Sequence, residues 1–221
     1  MTRHDSAPIA IAFDYGGVLA HFMDEDTICH MAGAAGLSRE VFAEPYWRLR
    51  PKFDSDELGA AEYWNAVLEA GGSKVDRTAA VKVLPELDAV GWGRMNTAVL
   101  RWAFTLPAAG YHCFIVSNMS TSAYKVLIER QSWARYFDPH IISGHLAINK
   151  PDPGIFEEAL ARTGLEAAEV LFLDDSEKNI RAARELGMKA LQVSTAAKLA
   201  SDLEREFPSV PRRGLLCEEK G

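Results

Sequence analysis

The sequence is poor in cysteine, and it has no apolar run long enough to cross a membrane. Cys29, Cys113 and Cys217 are far apart and odd in number. No CxxC pair accompanies them, so neither a disulfide framework nor a zinc site is indicated. A membrane-spanning helix needs about 20 apolar residues in succession, and no segment approaches that length. The N-terminus lacks a secretory apolar core. We therefore expect unpaired thiols and a cytoplasmic location, without membrane partners.

Positive charge is also scarce. The chain has 24 Lys and Arg residues against 31 Asp and Glu residues, a formal net charge of -7. An acidic surface repels phosphate backbones and anionic lipid, so a nucleic-acid or membrane-surface binder is not expected. The sequence has no GxxxxGK[ST] loop, and Gly91-Trp92-Gly93 neither follows a predicted strand nor has a third glycine. These absences leave room for a small anionic substrate in a locally positive pocket.

Four short apolar runs indicate the fold class. They cover residues 9–13, 113–116, 170–173 and 190–193, and none alternates with polar residues. Such runs are typical of strands buried on both faces of a parallel sheet. Helical segments lie between them: Asp152-Pro153 predicts a helix start and Gly164 its end, and Ser176 and Gly187 bracket another. We predict a doubly wound, Rossmann-like α/β fold.

One region interrupts the alternation of strand and helix. Residues 21–93 contain no strong strand, and they predict a small helical bundle inserted after the first strand. The candidate helices span residues 26–35, 38–49, 56–70 and 74–84, with Pro51 and Pro85 among the residues that separate them. We predict a core of residues 1–20 and 94–207, with a frayed tail over residues 208–221.

Polar residues follow the predicted strands. In open α/β sheets, ligands bind beyond the carboxyl ends of the strands. The first run ends at Asp14, the second at Ser117-Asn118, and the run over 170–173 at Asp174-Asp175. Lys150 lies in the loop region between the last two. The fold therefore predicts that three carboxylates, a hydroxyl, an amide and an ammonium group share one rim.

Three crowded carboxylates need a cation, because two unit charges about 4 Å apart repel by several kcal/mol at an effective dielectric near 20. Oxygen ligands without His or Cys suit Mg²⁺. A phosphate group would then fit, bridged by the metal, neutralised by Lys150 and hydrogen-bonded by Ser117 and Asn118. Attack on its phosphorus by a carboxylate would give an aspartyl-phosphate.

The ordered motifs resemble those of the haloacid dehalogenase-like hydrolases. They are Asp14-x-Gly-Gly-Val-Leu, Ser117-Asn118, Lys150-Pro-Asp-Pro and Asp174-Asp175-Ser-x-x-Asn179. The sequence most resembles the branch with sugar-phosphate phosphatases and the N-terminal phosphatase domain of soluble epoxide hydrolase. The resemblance implies a magnesium-dependent phosphatase with a helical cap, acting on a small phosphorylated metabolite such as a sugar phosphate.

The resemblance also implies a role for each motif residue. Asp14 would be the nucleophile and a metal ligand, and Asp175 the second direct ligand. Asp174 would hold metal-bound water, and the carbonyl of Gly16 would complete the metal site. Gly17, Ser117, Asn118 and Lys150 would bind the phosphoryl group, with Asn179 supporting the metal site.

Gly16 departs from the family pattern, since most phosphatases of the family have an acid–base aspartate there. One consequence is a preference for good leaving groups, and Gly16→Asp would then raise turnover of alkyl phosphates more than of aryl ones. Another is that His21, Asp54 or Asp56 supplies the missing group. The alternatives to a phosphatase are a metal-independent 2-haloacid dehalogenase and a phosphate-binding regulatory protein. A receiver-type signalling domain fits poorly, because its acid pair comes early in the chain.

Overall fold

A parallel sheet forms the centre of the structure, a computed structural model that describes residues 7–215. The strands are β1 (Ala10–Phe13), β2 (His112–Ser117), β3 (His140–Ile142), β4 (Val170–Asp174) and β5 (Lys189–Gln192). Their order is β3-β2-β1-β4-β5, and every neighbouring pair is parallel. Helices cover both faces of the sheet, which confirms the predicted α/β fold.

Alternate residues of the strands enter two separate apolar layers. Ile11 and Phe13 of β1 point to the larger layer, and Ala10 and Ala12 point to the smaller one. All four are fully buried. A strand covered on both faces has no solvent-facing side chains, so the absence of polar alternation in the sequence follows directly.

The helices that directly follow β1 form what we term the helical insertion: α1 (Glu25–Ala34), α2 (Arg39–Asp54), α3 (Ala60–Ala70) and α4 (Arg77–Trp92). Further helices follow it: α5 (Thr97–Ala103), α6 (Thr121–Tyr124), α7 (Ser143–Leu146), α8 (Pro153–Thr163), α9 (Glu177–Glu185) and α10 (Ala196–Glu206). The predicted limits of α8 hold: the Asp152 carboxylate caps it, accepting from Gly154 N, and Gly164 ends it with a φ of 69°.

Two features of the sheet and insertion differ from prediction. Strand β3 is absent from the predicted runs, because three residues that begin with a histidine carry too little apolar signal. Helices α2 and α4 continue through Pro51 and Pro85, which were expected to separate helices. A proline removes one backbone hydrogen bond, and the buried side chains on either side of Pro51 in α2 offset that loss.

Residues 208–215 are packed against the core, whereas the sequence predicts a frayed tail over residues 208–221. Val210 and Leu215 are buried in the larger apolar layer. The Trp102 indole donates a hydrogen bond to the carbonyl of Pro211 at 2.6 Å. These contacts hold residues 208–215 against the core, whereas Cys217 lies outside the described residues. Cys29 is an exposed free thiol and Cys113 a buried one.

The C-terminal end of α2 is hydrogen-bonded to loops at the carboxyl edge of the sheet. The Ser143 hydroxyl donates to the carbonyl of Asp54 at 2.6 Å, and the Asn149 amide donates to the carbonyl of Pro51 at 2.7 Å. These bonds fix the insertion over that edge. Within residues 7–215, no helix combines the length and apolarity that crossing a membrane requires.

Candidate active site

Three aspartates meet at the carboxyl edge of the sheet. Asp14 directly follows β1, Asp174 ends the adjacent strand β4, and Asp175 comes next in the chain. One carboxylate oxygen from each lies within 4.8 Å of the other two. The register brings them together, since Phe13 pairs with Leu173. The strand ends therefore lie side by side, as the sequence predicts.

Lys150 lies between two of these carboxylates. Its ammonium nitrogen is 2.9 Å from Asp14 Oδ1 and 2.7 Å from Asp174 Oδ2. It also donates to the carbonyl of Val116 at 2.8 Å. The lysine is only 2% exposed. One buried cation thus faces three carboxylates, and the cluster retains two negative charges.

Burial makes this excess charge costly. Desolvation raises the pKa of Asp14 to about 7, although Lys150 pulls that pKa down. Burial, and next the charge of Asp174, raise the pKa of Asp175. Burial is the largest cause of both shifts, and the positive charge of Lys150 opposes it only in part. A divalent cation would supply the two charges that are missing.

The donor set fits magnesium. The candidate ligands that the structure brings together are the carboxylates of Asp14, Asp174 and Asp175, which are all hard oxygen donors. The carbonyl of Gly16 stays a predicted fourth ligand. Asn179 donates from Nδ2 to both Asp174 oxygens, at 3.0 and 3.1 Å. Its Oδ1 is buried and has no hydrogen-bond partner among residues 7–215. That acceptor suits a metal-bound water, and the supporting role of Asn179 stays a prediction.

Asn118 holds the loop that carries Lys150. Its Oδ1 accepts from the Lys150 backbone N–H at 2.7 Å, and its Nδ2 donates to the Lys150 carbonyl at 3.0 Å. The sequence predicts a direct contact with substrate, whereas the side chain here pairs with backbone. Ser117 ends β2, is 2% exposed and lines the cavity described next.

A cavity of about 170 Å³ opens above Asp14. Its polar floor is formed by Asp14, Asp175, Ser117 and Asn118, and the insertion and its approach provide Phe22, Trp47, Arg50, Asp54 and Trp92. Three of these five wall residues are aromatic, so they would exclude water from part of the surface of a bound substrate.

Arg50 and Trp92 are cavity residues that the sequence did not single out. The Arg50 guanidinium bonds to Asp54 Oδ1 and to Asp88 Oδ1, both at 2.9 Å, and lies 5.3 Å from the Trp92 ring centroid. Arginines on helices are usually exposed, and nothing in the local sequence distinguishes Arg50. Its burial follows from contacts inside the insertion, with Asp54 of the same helix and with Asp88 and Trp92 of α4.

Gly17 is positioned against Asp175. It has a φ of 76°, and a Cβ at this position would lie 2.5 Å from Asp175 Cγ. Any side chain here would displace the carboxylate as well as strain the backbone. Gly17 therefore has a clear role in shaping the aspartate cluster, beside the substrate contact expected from the resemblance.

Gly16 has no room for a side chain either. A Cβ would lie 2.8 Å from Cζ3 of Trp92, whose Nε1 donates to the Tyr46 hydroxyl at 3.2 Å. The aromatic ring fills the space that an aspartate would need.

We expect Gly16→Asp to destabilise the protein by about 1–3 kcal/mol, the usual cost of overpacking a core, instead of the simple gain of function that the sequence suggests. Urea denaturation of the variant and of the wild type measures the loss. The matched control is Gly33→Asp, at an exposed position in α1 where a Cβ meets no atom within 4 Å and φ is not positive. Equal losses in the two variants would show that Trp92 does not oppose a side chain at position 16.

The three candidates for a substitute acid–base group lie in different places. Asp56 is exposed and its carboxylate accepts from the Thr121 backbone N–H at 3.1 Å. His21 is exposed and lines an open groove beyond Gly17. Asp54 is 9% exposed and lines the cavity above Asp14.

Known proteins are similar to this chain in sequence. Bifunctional epoxide hydrolase 2 of Rattus norvegicus is 26% identical over 220 residues, which cover 90% of this chain and 40% of that protein. The chain thus spans about two fifths of the length of this curated relative.

Three solved structures share the fold. A predicted HAD-like family hydrolase from Porphyromonas gingivalis matches with a TM-score of 0.71 at 20% identity, over 91% of this chain and all of that one. A HAD family enzyme from Bacteroides thetaiotaomicron, in complex with magnesium and inorganic phosphate, matches with a TM-score of 0.64 at 21% identity, over 84% and 93%. L-2-haloacid dehalogenase from Xanthobacter autotrophicus, with chloropropionic acid covalently bound, matches with a TM-score of 0.62 at 17% identity, over 90% and 84%.

The family model described as haloacid dehalogenase-like hydrolase matches residues 10–187. That range contains every motif residue at the carboxyl edge of the sheet, from Asp14 to Asn179. The chain belongs to the haloacid dehalogenase-like hydrolases.

Proposed function

We propose that the protein is a magnesium-dependent phosphomonoester hydrolase that works through an aspartyl-phosphate at Asp14. The observation that carries the proposal is the charge of the cluster: Asp14, Asp174 and Asp175 face a single buried cation, Lys150. Lys150 neutralises one of the three carboxylate charges, and a haloacid dehalogenase mechanism without metal does not require the other two. Binding of a divalent cation together with a dianionic phosphate does require them.

Asp14 is held ready to attack. Its Oδ1 accepts from Lys150 Nζ and, at 2.7 Å, from the Tyr15 backbone N–H, so the attack on phosphorus falls to Oδ2. Bound Mg²⁺ would act as a Lewis acid that offsets charge on the phosphoryl oxygens. Lys150 keeps Asp14 oriented and adds positive charge beside the transferring group, and the Ser117 hydroxyl is available as a donor to it.

The helical insertion serves as a cap in this proposal, with residues 21–93 covering a core to which residues 7–20 and 94–207 belong. Its side chains supply the roof of the cavity, so they select the substrate. The cavity of about 170 Å³ suits a small phosphorylated metabolite, such as a sugar phosphate. The Bacteroides enzyme of the same fold, solved with magnesium and inorganic phosphate, supports this class of ligand.

A 2-haloacid dehalogenase is the second candidate, favoured by the glycine at position 16 and by the likeness to the Xanthobacter enzyme. It would use the same aspartate to displace halide, without metal. A regulatory protein that binds phosphate without turnover is the non-enzymatic alternative.

Turnover of p-nitrophenyl phosphate by the purified chain distinguishes these functions. We expect turnover with Mg²⁺, a loss of about 100-fold or more with EDTA, and recovery when excess Mg²⁺ is returned, because the carboxylate cluster repels a phosphate dianion unless a cation offsets its charge. Chloride release from 2-chloropropionate in EDTA would instead support the dehalogenase. Magnesium-dependent phosphate binding without turnover would support the regulatory protein.

A further inference from the structure

Position 16 cannot provide the proton that an alkoxide leaving group needs. Trp92 occupies the space beside Gly16, 2.8 Å from where a Cβ would lie, and its indole is anchored to the Tyr46 hydroxyl at 3.2 Å. If the protein is a phosphatase, as proposed above, a different group must serve, or the protein must be limited to leaving groups that depart as anions.

The cavity contains one carboxylate from the helical insertion. Of the three carboxylates in its lining, Asp14 and Asp175 belong to the charged cluster at the floor, and Asp54 comes from α2. We propose that Asp54 is the general acid and base of this enzyme, supplied from the insertion in place of the aspartate that position 16 lacks. The inference rests on the phosphatase proposal and deepens it.

The surroundings of Asp54 favour a proton there. Arg50 bonds to two buried carboxylates, Asp54 and Asp88, so this group of side chains carries one surplus negative charge. Asp88 Oδ1 accepts from both Arg50 and the Tyr46 hydroxyl, which stabilises its charge. Burial raises the pKa of Asp54 to about 6, even with Arg50 opposing the shift. A carboxyl group with a pKa this close to neutral pH can exchange a proton in either direction.

The backbone around Asp54 is anchored to the core. Ser143 donates to the Asp54 carbonyl at 2.6 Å and accepts from the Met119 backbone N–H at 2.8 Å. Met119 itself lines the cavity, just after the Ser117-Asn118 pair. One hydroxyl therefore ties the end of α2 to the loop beyond β2, which is the arrangement a closed active site needs.

The two proton transfers balance. In the first step, Asp14 Oδ2 bonds to phosphorus, the bond to the alkoxide oxygen breaks, and the Asp54 carboxyl gives its proton to that oxygen. In the second step, the Asp54 carboxylate takes a proton from water as the water oxygen bonds to phosphorus. The bond from Asp14 to phosphorus breaks, and inorganic phosphate and the alcohol are the products.

The test is Asp54→Asn with Mg²⁺ and two substrates. With p-nitrophenyl phosphate, we expect a burst of about one nitrophenolate per protein at a rate within about 3-fold of wild type, since this anion leaves without protonation. Steady turnover after the burst should fall about 10²–10⁴-fold, because the phosphoenzyme lacks its base. With an alkyl phosphate of similar size, the first step itself should slow by a similar factor. Asp54→Glu, which keeps a carboxyl group, should recover part of the loss.

Asp56→Asn and His21→Gln are the matched controls, because both residues are charged or titratable neighbours outside the cavity.

Equal slowing of alkyl and aryl first steps in Asp54→Asn would overturn the proposal and leave Asp54 a structural partner of Arg50. A burst followed by slow turnover in His21→Gln, and not in Asp54→Asn, would overturn the proposal and assign the role to His21. If wild type shows no phosphatase activity at all, the proposed function fails, and that result is separate from a failure of Asp54. If Asp54→Asn does not fold, the same comparison is made with Asp54→Ala, which also lacks a carboxyl group, and equal slowing of the alkyl and aryl first steps would again overturn the proposal.

Discussion

Asp14→Asn is expected to lower Mg²⁺-dependent phosphatase turnover by about 10⁴-fold or more, while the protein stays folded. An amide is a far weaker nucleophile than a carboxylate, so no aspartyl-phosphate forms. The fold should persist because the amide oxygen of the variant can still accept from Lys150 and from the Tyr15 backbone N–H. The uncharged amide also avoids the desolvation cost that raises the pKa of Asp14 to about 7. Turnover of p-nitrophenyl phosphate and acid-quench trapping of the phosphoenzyme measure the loss of the nucleophile.

Asp26→Asn is a suitable control, since Asp26 is exposed in the first turn of α1 and its replacement should leave turnover unchanged. Calorimetry with inorganic phosphate and Mg²⁺ adds a second readout, in which Asp14→Asn should still bind phosphate. Turnover of the variant within about 10-fold of wild type would show that another group attacks phosphorus. The aspartyl-phosphate would then have to be abandoned.

The sequence predicted the floor of the site well because each part of it is a local motif at the end of a strand. Parallel strands bring their carboxyl ends to one edge, so Asp14, Ser117 and Asp174 had to lie close together once the strands were recognised. Lys150 was placed by its loop between two of those strands. The failure to predict β3 did not affect the prediction of the site, because β3 is an edge strand and β2 separates it from β1 and Asp14.

The roof of the cavity was not predictable in the same way. Arg50 of α2 meets Asp88 and Trp92 of α4 through side chains inside the helical insertion, and no local sequence pattern records those contacts. Gly16 shows the difference most clearly. The sequence shows that position 16 lacks the aspartate found in most phosphatases of the family. The structure adds that the Trp92 ring, from α4, occupies the space which that side chain would need. Side chains from distant segments thus determine the chemistry of the roof, and the sequence offered Asp54 only as one of three candidates.

Lys150→Met should lower the free energy of unfolding by about 3–5 kcal/mol, because removing one partner of a buried ion pair leaves uncompensated charge. Lys150 is 2% exposed and pairs with Asp14 and Asp174, so both carboxylates would lose their cation. The loss should depend on pH. Burial already raises the pKa of Asp14 to about 7 from 3.8, so the folded state binds more protons than the unfolded chain. Stability conferred by that proton is present in acid and is lost as the pH rises through the folded pKa.

The variant should therefore be closest to wild type near pH 5 and furthest from it near pH 8, as measured by urea denaturation at both values in EDTA. Mg²⁺ should restore part of the loss at pH 8, since a divalent cation can take over some of the charge that Lys150 provided. Lys82→Met, an exposed position on α4, should lose far less at either pH. A loss that is the same at pH 5 and pH 8 would mean that Lys150 acts through the packing of its aliphatic chain. The excess negative charge on which the metal site depends would then lack support.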